Sequence, residues 1–176
     1  MSLNFPPLKE ITVDNPFLYV RGYNEELAVK GKEYRAYVKF TIPGGGTLDI
    51  RMEVTDYTVR FGRLIDLSRG DITYTSYVNS VLSGGTPVTT VSNLNDQFPL
   101  APNIQFYTAP TVTTIGPESD YLALRTDTQT IQRASSTSSG NEPLRFYSPK
   151  TFLLRIVNRD ANPAEGVFRF HFGNLT

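Results

Sequence analysis

The stretch Glu33–Val54 reads EYRAYVKFTIPGGGTLDIRMEV, and its reading decides the fold class. Tyr34, Ala36, Val38, Phe40 and Ile42 take every second position, with Arg35, Tyr37, Lys39 and Thr41 between them. Successive side chains of a strand point to opposite faces, so this segment has one apolar face and one mostly solvated face. Leu48, Ile50, Met52 and Val54 repeat the alternation against Asp49, Arg51, Glu53 and Thr55. Between the runs lies Pro43-Gly44-Gly45-Gly46. Proline ends ladder pairing, and glycine supplies the positive φ of a tight reversal. The expected element is a β-hairpin with one face buried against a second sheet. Across its outer face, Arg35 and Lys39 are expected to pair with Asp49 or Glu53, contacts worth about 0.2–1 kcal/mol each.

Alternating segments recur on either side of this stretch. Tyr57 to Asp66 predicts a strand with Tyr57, Val59, Phe61 and Ile65 on one face, and Gly62 marks a bulge or bend. Asp71 to Leu82 is rich in Thr, Tyr, Val and Ile, the chemistry of a strand. Asn93 to Pro110, with three prolines, reads as a long excursion anchored by Phe98, Leu100, Ile104 and Phe106. Thr111 to Ile115 is a short strand ending at Gly116-Pro117. Tyr121 to Ala134 begins as an alternating strand and turns Thr/Gln-rich. SSTSSGN (Ser135 to Asn141) is too small and polar to pack a core and is expected to move. Thr151 to Asn158 and Val167 to Phe172 close the sequence as a pair of strands, with Phe168, Phe170 and Phe172 in the core. Phe17 to Tyr23 is a short first strand, and Asn24 to Lys32 holds one helical turn ending at Gly31. Met1 to Pro16 lacks periodicity and reads as an N-terminal arm, draped on the domain or reaching a neighbour, or equally as a frayed terminus.

This pattern predicts an all-β chain: a two-sheet antiparallel sandwich of eight to ten strands with long end loops, a jelly roll first among sandwiches. An immunoglobulin-like domain fits less well, being shorter and often marked by a buried Trp, which this chain lacks. The division is an arm at 1–16 and one sandwich domain at 17–176, a size that buries a core without staples. Ten tyrosines, eleven phenylalanines, thirteen glycines and twelve prolines suit strands joined by many turns.

The seventeen basic and seventeen acidic residues cancel, which argues against a general binder of nucleic acid or anionic membrane. No cysteine is present, so disulfides, zinc thiolates and thiol catalysis are excluded. No apolar stretch approaches the ~18–20 residues of a membrane span, and the N-terminus lacks the order of a secretory signal.

His171 is the sole histidine. It falls on the strand face opposite the phenylalanines, and its flanks, Arg169 and Val167, offer neither a nucleophile nor an orienting group. Three carboxylate pairs bear on hydrolysis: Glu118 with Asp120, Asp49 with Glu53, and Asp56 with Asp66. The first pair sits in an expected turn, where carboxylates usually cap backbone amides. No Asp-x-Asp-x-Asp-Gly loop offers a calcium site, and Gly44-Gly45-Gly46 lacks the Lys-Ser/Thr of a phosphate loop. No catalytic, cofactor-binding or metal-binding residue is therefore nominated, and the chain is not expected to be an enzyme. Tyr37, Tyr74, Tyr77, Tyr107 and Tyr147 are the candidates for a sugar- or protein-binding surface.

The block RFYSPKTFLLRIVNRDANPAEGVFRFHFGN (Arg145 to Asn174), with VSNLNDQFPLAP (Val91 to Pro102), resembles small jelly-roll virion proteins of tailed bacteriophages. Those proteins serve as head decoration or cement, or as tail and collar appendages. The resemblance implies a non-enzymatic component of a bacteriophage particle, made in the host cytoplasm and residing in the virion. The partners it implies are like subunits in a homo-oligomer and other virion proteins, without nucleic acid or membrane. It carries over no functional residue. Under this reading 94–110, 133–143 and the arm would meet neighbours. The alternative is a carbohydrate- or receptor-binding β-sandwich, with a glycan as partner.

Overall fold

The Pro43–Gly46 turn does not close a hairpin. β1 (Glu33–Ile42) pairs with β14 (Ala164–Asn174) along its whole length, Glu33 opposite Gly173 and Ile42 opposite Ala164. β2 (Thr47–Val54) pairs instead with β13 (Lys150–Asn158), in a different sheet. The alternation of both runs is as expected, and both apolar faces point into the same interior, but the glycine turn carries the chain from one layer to the other. Gly45 has φ +66°, and a Cβ at Gly44 would lie 1.9 Å from the Ala161 carbonyl oxygen. The turn therefore needs glycine for a close approach between layers as well as for its own conformation.

The structure is a computed structural model describing residues 27, 29–95, 100–126, 134–137, 144–146 and 149–176; of 134–137, 144 and 145 it describes the backbone. The arm, the expected strand at 17–23, Phe98 and Tyr147 lie outside the described residues. The fold is all-β, with two extensively packed antiparallel sheets.

β3 (Thr58–Arg69), β7 (Val91–Asn93), β11 (Ala134–Thr137) and β12 (Leu144–Phe146) complete the first sheet, ordered β11-β3-β14-β1-β7 with β12 also on β3. β4 (Asp71–Val78), β6 (Thr86–Pro87), β8 (Ile104–Thr108) and β10 (Glu118–Arg125) complete the second, ordered β10-β4-β13-β2-β8-β6. A two-stranded ribbon of β5 (Val81–Ser83) and β9 (Thr111–Thr114) completes the fourteen described strands. Eight of these have five or more residues; the short ones raise the number above the eight to ten expected.

The core lies between the sheets. Phe168, Phe170 and Phe172 are buried, as expected. Phe172 stacks on Tyr34 at 5.3 Å, and Phe106 of the second sheet meets Phe170 edge-on at 5.4 Å. Each such burial contributes about 1.5–3 kcal/mol. Gly62 marks a bulge, as its position suggests: Gly62 faces His171 and Arg60 faces Phe172, which leaves Phe61 unpaired. The extra residue reverses the parity of β3. Ile65 and Leu67 join the core, whereas Val59 and Phe61 lie on the outer side with Leu27, so the expected common face of Tyr57, Val59, Phe61 and Ile65 does not form. Leu27 belongs to the expected helical turn, which closes with Lys32 N–H donating to the Leu27 carbonyl (2.8 Å) and Gly31 at φ +67°.

Four further expectations are corrected. The strand at 71–82 breaks at Asn79 (φ 58°), because Ser80 Oγ turns to accept the Gly116 N–H at 3.0 Å. Within 93–110, Ile104 and Phe106 are anchors as expected, but as part of β8, and Leu100 is 48% exposed. Glu118 and Asp120 start a strand rather than a turn. Residues 135–137 of the small polar stretch pair with β3, since an edge strand needs only backbone partners.

The β5–β9 ribbon follows β4, lies with β5 against β13, and leads through β6 to pair with β8. Leu153 of β13 has no exposure although it lies outside the core between the sheets.

Candidate functional site

The three carboxylate pairs are dispersed. Asp49 holds Arg155 through two hydrogen bonds of 2.7 and 2.8 Å, and Glu53 lies 3.4 Å from Arg51. Neither meets Arg35 or Lys39, which stand in the other sheet. Asp56 accepts the Tyr57 amide at 2.7 Å, at the far end of β3 from Asp66. A register shift at Ser119 parts Glu118 from Asp120.

Asp120 instead reaches inward. It accepts a 2.5 Å hydrogen bond from Arg63, a guanidinium whose side chain is 3% exposed. Arg63 comes from the first sheet and Asp120 from the second, so the pair spans the interior. The guanidinium also sits 4.2 Å from the centre of the Tyr74 ring, a cation–π contact. Burial, reinforced by the nearby Arg63 charge, lowers the pKa of Arg60. Tyr74, expected at the surface, is 1% exposed, and burial raises its pKa from 10.0. A raised folded-state value favours the neutral phenol. Its contribution is complete below the unfolded pKa of about 10 and is lost as pH rises through the folded value. The melting temperature should therefore fall above about pH 10, and Tyr74→Phe should fall less steeply there. Parallel pH profiles for the two proteins from pH 8 to 11 would refute this role for Tyr74.

The outer face of the first sheet gathers a different set. Register places Arg35 opposite His171, Tyr37 opposite Arg169 and Lys39 opposite Val167, with Gly62 and Leu64 beyond on β3. Together with Ser92 they line an open groove of about 640 Å³. Nothing lies within 4 Å of a Cβ built on Gly62, so the groove has an opening in its floor. Arg35, Tyr37, Lys39 and Arg169 are exposed, and the three cations hold no ion pair among the described residues.

At one end His171 Nε2 is hydrogen-bonded to Glu33 Oε1, and the Phe61 ring stands 5.0 Å from the imidazole. Glu33 is 5% exposed. The histidine thus has the orienting carboxylate that its sequence neighbours lack, supplied by a residue 138 positions away. The lining hydroxyl, Ser92, stands two strands off, roughly 10 Å in a sheet, and lies 3.4 Å from the Arg35 carbonyl oxygen it donates to. The arrangement fixes an imidazole in the groove without an adjacent nucleophile among the described residues.

The candidate tyrosines do not assemble. Among the described residues Tyr37 alone is on this face; Tyr77 and Tyr107 belong to the second sheet, where Arg51 stands 3.9 Å from the centre of the Tyr107 ring. Among the described residues no three His, Asp or Glu side chains gather as a metal would require, and no helix is long and apolar enough to cross a membrane. Sequence reasoning missed the cationic groove. Its only sequence signal is that Arg35, Lys39 and Arg169 all fall on solvent-facing positions of strongly alternating runs. In comparisons with known proteins, no family model, no curated protein and no solved structure matches the chain.

Proposed function

We propose that this chain is a jelly-roll structural subunit of a bacteriophage particle, non-enzymatic and acting through contacts with like subunits and other virion proteins. The observation that carries the reading is the strand order. β1-β14-β3-β11 in one sheet and β2-β13-β4-β10 in the other have each early strand paired with a late one, and the chain changes sheets at each step from β1 to β4 and again from β13 to β14. That nesting supports the jelly-roll reading, an architecture shared by viral capsid and lectin domains. The resemblance of Arg145 to Asn174 to phage virion proteins points the same way. Function would then reside in repeated symmetric interfaces of about 1,200–2,000 Å² each. Light scattering over a hundredfold concentration range tests it: a stable dimer, trimer or ring is expected, and a monomer at every concentration would count against the particle role.

A second reading, a glycan- or receptor-binding module, is favoured by one observation: the groove on the outer face of the first sheet, with its exposed tyrosine among cations that hold no ion pair among the described residues.

A further inference from the structure

We infer that the groove across β1 and β14 binds a short acidic saccharide, one carrying a carboxylate group, through Arg35, Lys39 and Arg169 with Tyr37 as its platform. The inference deepens the second reading above and rests on it.

The geometry sets the size. Arg35 and Lys39 are four residues apart on one strand, roughly 13 Å, and Arg169 lies opposite the midpoint on the next strand. The cations form a zigzag with steps of roughly 8 Å between Cα positions. Carboxylates bound it at both ends. Glu33 lies beyond Arg35 and is committed to His171; Asp66 faces Val167, and Glu165 faces Thr41, beyond Lys39. A long polyanion such as a nucleic-acid strand would have to pass these acids. A ligand of one or two negative charges would not.

The chemistry sets the class. Arginine forks match carboxylates with two parallel hydrogen bonds. Tyr37 is 43% exposed in the middle of the zigzag and offers an apolar ring with a polar tip, as a sugar ring requires. Ser92 and His171 add polar side chains suited to hydroxyls. An extended acidic peptide suits this face less well. Peptides that recognise sheets take up free backbone groups at an edge. Here β14 is paired on both sides, to β1 and to β3, so the groove floor has no backbone row to offer.

The test is an array of immobilised oligosaccharides in which uronic- and sialic-acid-bearing members stand beside neutral counterparts, with a Glu-rich peptide and a single-stranded oligonucleotide on the same slide. The expected result is binding to an acidic saccharide about tenfold above its neutral counterpart, reduced about tenfold in Arg169→Ala and less in Arg169→Lys, at unchanged melting temperature. Equal binding of acidic and neutral members overturns the inference while leaving a glycan-binding module standing. Absence of any saccharide binding overturns both. Tighter binding of the peptide or the oligonucleotide, or binding indifferent to Arg169→Ala, also overturns it.

Discussion

Asp120→Ala is expected to lower stability by about 3–5 kcal/mol, because it strands the Arg63 guanidinium between the sheets. The Arg63 side chain is 3% exposed and already has one unpartnered nitrogen, Nε, so the Asp120 carboxylate is its main compensation. The Tyr74 ring face remains after the substitution but supplies only a cation–π contact. For a chain of this length, the melting temperature should drop by roughly 10 °C. Removing the cation as well should reverse most of this. Arg63→Met with Asp120→Ala removes the buried pair together, and such replacements are often neutral or stabilising. Chemical denaturation of the single and double variants decides the matter. If the double variant is no more stable than Asp120→Ala alone, the loss comes from packing around β10 and not from an uncompensated charge.

Asn158→Ala is expected to cost about 2–4 kcal/mol, since a buried amide there serves several backbone groups at once. Asn158 is 1% exposed. Its Nδ2 donates toward the carbonyls of Ile42 (3.1 Å), Pro43 (3.0 Å) and Asn162 (2.7 Å), and its Oδ1 accepts the Asp160 N–H at 3.0 Å. Backbone bonds add to the joint: Gly45 N–H donates to Asp160 O at 3.0 Å and Asn158 N–H to Gly46 O at 2.9 Å. One side chain therefore fastens two of the turns by which the chain changes sheets, the one after β1 and the one after β13. Asn158→Asp preserves the acceptor but points a carboxylate at three carbonyls, so it should be at least as damaging. In urea, both variants should show a lower midpoint with an unchanged slope. A stability within ~0.5 kcal/mol of the parent for Asn158→Ala would mean that the backbone bonds alone hold the joint.

Alternation made the inward residues of β1, β2, β13 and β14 legible, because a strand with one buried face must alternate. Gly62 was legible as a bulge for a similar local reason. Pairing was not. Nothing local distinguishes a glycine turn that folds two strands together from one that passes between layers; partners more than 100 residues away decide it. The same gap hid the candidate site. Arg35 and Arg169 become near neighbours only through the β1–β14 register, and His171 acquires Glu33 by the same route. Asp120 was misread because burial of a charge depends on the one residue in the opposite sheet that can meet it, Arg63. Tyr74 was misread because Ile72 and Tyr74 on one face and Tyr77 on the other give a weak alternation, in which Thr75 and Ser76 are also buried.

The positions of β13 and β14 bear on how the protein can be made. Each lies inside its sheet, β14 between β3 and β1 and β13 between β4 and β2. Until residues 150–174 have been synthesised, β1 and β3 have no strand between them, and neither do β2 and β4. Early strands with strongly apolar faces have partners on one side only until then, β7 for β1, β8 for β2, β11 and β12 for β3 and β10 for β4, and must wait for the middle of each sheet to arrive. Contacts so distant along the chain make folding slow, and the waiting strands are open to pairing with other chains. The nascent polypeptide is thus most exposed to aggregation just before it is long enough to fold.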